Sequence, residues 1–270
     1  MKFLAKLLTA LAVVGAVLLV AGLCLGGRLY TGYANGRLWP LDFGFHFDSH
    51  ASHNGSQPGI DPISVPELPD VTELRIEVSA GSCTIRKDRI DFQYSGSVHA
   101  EQEDGILTLK VTAGDADITL PDRYFGSVSV EVSGGDVEIE SLRGDSCAVS
   151  LRAGELSVEE IESRTCAISV AMGSAEIDNI DSPTCSLSLA AGELTVDDLD
   201  AFDISASCTG GDMELGLRNG APDYSCEAHA LAGEVTWNGK PLSSAGFSGE
   251  EAERALSLNV TGGSLNLFPG

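Results

Sequence analysis

Between Leu74 and Leu267 apolar and polar residues alternate with period two, and the alternation changes phase at recurring glycines. Gly135, Gly154, Gly173, Gly192 and Gly211 are spaced by 19 residues, four times without slippage. Gly81 and Gly114 extend the series upstream and Gly233 and Gly263 downstream, with insertions between. Three residues before each glycine stand Val78, Val111, Val132, Leu151, Val170, Leu189, Cys208, Ala230 and Val260. Four after it stand Ile85, Ile118, Ile139, Val158, Ile177, Val196, Leu215, Trp237 and Leu267. Two-residue periodicity of largely β-branched positions predicts two half-buried strands per repeat.

Inward positions fall at odd offsets before the glycine and even offsets after it, so the chain must turn a corner there. Eight of the nine glycines follow a small residue, Met172 being the exception. A small residue and then a glycine suit a tight bend at positive φ. One repeat is too thin to bury its own apolar face, whereas repeats stacked at about 4.8 Å share a continuous core. The expected architecture is all-β: a β-solenoid of about nine coils over residues 71–270. A β-sandwich of hairpins is the structural alternative. Two insertions, Arg86–Gly105 with His99 and Asn238–Arg254 with Pro241 and Phe247, are candidate caps for the ends.

The amino-terminal residues follow a different pattern. Lys2 and Lys6 precede an apolar run from Leu7 to Gly27 whose one clearly polar side chain is Thr9. At 1.5 Å per residue such a helix covers roughly 30 Å, the thickness of a bilayer's hydrocarbon core. Residues 1–27 are therefore expected to form one uncleaved transmembrane anchor. Cys24 invites a lipoprotein reading, but Leu23 stands where that cleavage needs a small residue. The positive-inside count is nearly tied, and a short basic head normally stays cytoplasmic. On that basis the repeats lie outside the cytoplasm, joined to the membrane by a spacer over residues 28–70 rich in Gly, Pro, Ser, Asp and His.

Charge narrows the function. The chain carries 16 Lys+Arg against 40 Asp+Glu, a net charge of −24, and lacks the clustered basic residues nucleic acid requires. Cys147, Cys166, Cys185 and Cys226 share one inward column, and Cys83 and Cys208 occupy others, so these cysteines are read as buried, reduced thiols. Parallel neighbours give poor disulfide geometry, and no CxxC pair points to zinc. His46, His50 and His53 are read as solvated linker residues rather than metal ligands. Acidic residues one and three after the glycines, such as Asp136, Glu138, Glu155 and Glu176, form a solvated face; no coil gathers the several oxygens of a dedicated calcium site. The other strand's outward face differs: Ser150, Ser169, Ser188 and Ser207 stand beside Ala148, Ala167, Ser186 and Ser205. This uncharged strip is a candidate interface, and equally an ordinary sheet surface. No catalytic, cofactor-binding or metal-ligating residue is assigned.

The segments LRIEVSAGSCTI (74–85), SVEVSGGDVEI (129–139) and LSLNVTGGSLNL (256–267) resemble a bacterial family of β-strand-repeat proteins that carries an adhesin label. The likeness covers roughly residues 72–268, together with the preceding anchor. It implies an envelope-displayed binding module that meets the bilayer through residues 7–27. Its partner would be an envelope protein, a glycan or a second copy. An accessory of a cell-envelope stress system is the alternative. An enzyme acting on acidic polysaccharide stands third, because basic partners are missing from the acidic face.

Overall fold

The computed structural model describes residues 71–89, 92–219, 224–242, 247–248 and 252–270. The expected anchor, the spacer and its three histidines lie outside the described residues. Among the described residues no helix is long and apolar enough to cross a membrane.

The strands are β1 (Glu73–Val78), β2 (Ser82–Asp88), β3 (Gln93–Glu103), β4 (Ile106–Pro121), β5 (Phe125–Val132), β6 (Asp136–Leu151), β7 (Glu155–Val170) and β8 (Ser174–Asp181). They continue with β9 (Thr184–Leu189), β10 (Glu193–Asp200), β11 (Asp203–Cys208), β12 (Asp212–Leu217), β13 (Tyr224–Trp237), β14 (Lys240–Pro241), β15 (Phe247–Ser248) and β16 (Arg254–Pro269). Successive central repeats pair in parallel at the 19-residue offset: Asp136 faces Glu155, Cys147 faces Cys166, and Leu151 faces Val170. Hairpins would pair antiparallel, so these ladders exclude the sandwich of hairpins.

The glycine corners carry their own ladder. At six of the corners the N–H after the glycine donates to the glycine carbonyl of the repeat beneath: Asp136 to Gly81 (2.9 Å), Glu155 to Gly135 (3.0 Å), Ser174 to Gly154 (3.0 Å). It continues through Glu193 to Gly173, Asp212 to Gly192 and Ser264 to Gly211. Eight of the nine corner glycines hold φ between 85° and 118°. Gly233 is the departure: it is not at positive φ, and its corner is crowded instead by Val260 and Gly263.

The stacking order differs from chain order at both ends. The repeat of Gly81 lies between those of Gly114 and Gly135, because β1 pairs with both β4 and β5. At the far end the Gly263 repeat lies between those of Gly211 and Gly233, because β16 pairs with β11 and β12 on one side and β13 on the other. Both insertions are edge pieces. β3 runs antiparallel along β4, with a bulge between Gly96 and Val98, and β14 and β15 pair antiparallel with β13. A bulge and the charges of Glu101 and Glu103 blunt the β3 edge against further pairing.

Inward columns from both halves of every repeat form one core, from Val71 to Leu267. Two column members fall short at the β13 edge, where no further repeat covers them: Ala230 is exposed and Trp237 half-buried. A second corner lies nine residues after Gly135, Gly154, Gly173 and Gly192. It is occupied by the small residues Gly144, Ser163, Ser182 and Ala201, all buried. Ser163 Oγ donates to Ser182 Oγ (3.2 Å) and Ser182 Oγ to the Thr184 carbonyl (3.0 Å), so these two hydroxyls are satisfied inside the corner.

Candidate functional site

The strip is built by β6, β7, β9 and β11, whose alternation sends Cys147, Val149 and their equivalents inward and the residues between them outward. Ala148 faces Ala167 and Ser150 faces Ser169. Ser186 and Ser188 follow, then Ser205 and Ser207. All are exposed except Ser150, which is half-buried. The exchanged order then adds residues that the sequence places fifty positions away. Ser257 stands beside Ser205 and Asn259 beside Ser207. Glu131 closes the strip at one end, and Glu227 with His229 (3.1 Å) at the other. At about 4.8 Å per repeat the uncharged run is about 24 Å long. Part of it is a shallow depression of about 280 Å³ from Ser129 to Ser188. Exposed Met172 lies at the adjoining corner.

The strands after the glycines present the acidic face. Glu176, Asp178 and Asp197 bring carboxylate oxygens within 4.8 Å of one another, and all three are exposed. Basic residues are present on this face, which corrects the expectation that they are missing. Arg86 pairs with Asp117 (3.0 Å) and Lys87 with Glu160 (3.5 Å) near the β4 end. Arg143 bridges Asp122 and Glu162 (2.9 and 2.6 Å) at the second corner. A depression of about 400 Å³ runs past Arg86, Glu138, Glu140, Ser157 and Glu159.

The family model Toastrack DUF4097 matches residues 70–263. The chain belongs to this family. Among solved structures, a putative adhesin from Bacteroides fragilis is similar at 15% identity and a TM-score of 0.49, over 73% of this chain and 92% of that one. A putative cell adhesion protein from Clostridium sporogenes is similar at 12% identity and a TM-score of 0.29, over 74% and 93%. No curated protein matches.

Two features of this Toastrack chain lie outside the strip. All six cysteines among the described residues are buried. Burial, with Asp117 nearby, pushes the Cys83 thiol up to about 11, and burial pushes Cys147 up to about 12. Cys166 is raised by its hydrogen bond with Cys185 and by burial. Thiols held neutral in this way are poor nucleophiles and poor metal ligands.

The second feature went unread in the sequence. Arg254, at the start of β16, donates to Asp200 Oδ1 and to the Ala201 carbonyl, both at 2.7 Å, and stacks 4.5 Å over the Phe202 ring. Tyr224 is fully buried and donates its hydroxyl to the same carbonyl at 3.0 Å. Arg218 adds Asp198 (2.9 Å) and Asn179 (2.7 Å). Burial alone would raise the Asp200 carboxyl, but the hydrogen bond and charge of Arg254, with Arg218 and Asn219, bring it below its ordinary value. Every member of this network has a partner within it, so it reads as a clasp for the exchanged end. No sequence period links Asp200 to Arg254, because the contact arises only when β16 enters between β11 and β13.

Proposed function

We propose that this Toastrack protein is a non-catalytic, adhesin-like binding module. In this reading residues 7–27 anchor it to the cell membrane and residues 28–70 hold it off the surface. The stacked repeats act as a β-solenoid displayed outside the cytoplasm. The observation that carries the reading is the uncharged strip, which crosses five adjacent repeats of a chain with net charge −24. A flat face ending in hydroxyl, amide and methyl groups can lie against an envelope protein, a glycan or a second copy without stripping water from ions. That desolvation would cost several kcal/mol per buried charge. The acidic face keeps the remaining surface hydrated and repels unwanted contacts.

Two measurements on the full chain test the reading. Fractionation with external protease should find it in the membrane and cleaved from outside; recovery in the soluble fraction removes the tether. A glycan array and in-cell crosslinking from position 188 should capture a ligand on the strip. Absence of any glycan, protein or self-crosslink removes the binding module.

A further inference from the structure

Neither chain end of the Toastrack repeats lies at an edge of the stack. Along β1, Glu73–Val78 face Ile106–Val111 of β4 on one side and Ser127–Val132 of β5 on the other. β2 sits in the same way between β4 and β6. At the other end, β16 is held by β11 and β12 on one side and by β13 along most of its length on the other. The outermost repeats belong to chain segments continuous in both directions, and antiparallel pieces pair along their outer edges.

The crossings that produce this order are tied down. The link after β4 passes β1, and Arg123 Nη2 donates to the Val71 carbonyl at 2.8 Å. Gly126 N–H donates to the Thr72 carbonyl at 2.8 Å. The clasp of Arg254 on Asp200 and Ala201 does the same for β16.

Stacked in chain order, the first and last repeats would each be held by one ladder at an edge. A pull on the chain would then peel them one bond at a time, and each loss would expose the next repeat. With the order exchanged, a pull on the chain before Val71 loads the ladders to β4 and β5 together. Releasing β1 also opens a gap between two other repeats, which splits the core.

We infer that the exchanged order is a mechanical lock. The repeat domain bears tension on either chain end until it unfolds as a whole, and it does not unravel repeat by repeat. Its use in the cell rests on the tethered reading above; the lock itself does not.

Optical tweezers on the full chain in detergent micelles, with tags before Met1 and after Gly270, test it. At up to 3.6 Å per residue, a 19-residue repeat releases about 7 nm and residues 71–270 about 70 nm. The expected record is one dominant opening of about 70 nm. A ladder of steps of about 7 nm starting at low force overturns the lock. Glu77→Pro removes one donor from the β1 ladders and should lower the opening force without changing its length. An unchanged force in a folded variant also overturns it, and if the variant does not fold the wild-type record decides. A chain found in the soluble fraction of cells refutes the tether and leaves this record as it is.

Discussion

At Gly173 the backbone lies at φ 113°, and a Cβ there would collide with the carbonyl oxygen of Gly154 in the repeat beneath. That oxygen already accepts the Ser174 N–H at 3.0 Å, so it has nowhere to retreat without breaking the corner ladder. Positive φ alone costs a non-glycine residue about 1–3 kcal/mol, and valine is among the worst placed to bear it. Gly173→Val should therefore lower stability by about 3 kcal/mol or more, against about 0.5 kcal/mol for Ser174→Val on the half-exposed neighbour. Urea midpoints compare the two, and equal shifts would place the strain elsewhere. The thiols make a second case. Thiols ordinarily ionise near 9.0, whereas Cys83 is raised to about 11 and Cys147 to about 12. The folded state thus favours the neutral thiol, a stability fully present below pH 9 and lost as pH rises toward the folded values. We expect the thermal midpoint to fall between pH 9 and 11. Cys147→Val, matching Val128 in the same column, should lessen that fall. An identical fall in the variant assigns it to other groups.

At the scale of the elements, β7 and β9 place Ser169 directly opposite Ser188, both pointing outward. Lysine at both positions introduces a like-charge pair that costs the sheet roughly 0.2–1 kcal/mol. The fold should survive, while any assembly through the strip should be lost. Asn259→Lys on β16 should act in the same way, since β16 continues the strip beside β11. Sedimentation velocity and ligand capture read both variants. Capture unchanged by both makes the strip plain surface. The strand alternation and the four-repeat core of the strip were legible in the sequence, because a side chain's face follows from parity alone. The second corner was written there too, as Gly144, Ser163, Ser182 and Ala201 at a constant offset. It is less visible because small residues of different types mark it, rather than one repeated glycine.

For the whole molecule, a net charge of −24 confines uncharged packing to the few faces that carry no carboxylate, and the strip is such a face. The sequence by itself determined the all-β class, the 19-residue offset between central repeats and the corner glycines. Each of these is set by interactions local to one repeat or to its identical neighbour. Order at the ends is another matter. Every repeat offers the same apolar columns and the same backbone ladder, so the pattern cannot say whether Gly81 stacks on Gly114, on Gly135 or between them. That choice depends on the short link after β4 passing β1, on β3, β14 and β15 pairing along the outer edges, and on Arg254 reaching Asp200 across 54 residues. Only the tertiary structure decided it. The contacts that discriminate between orders join residues with no period in common, and they form only after the stack has closed around both chain ends.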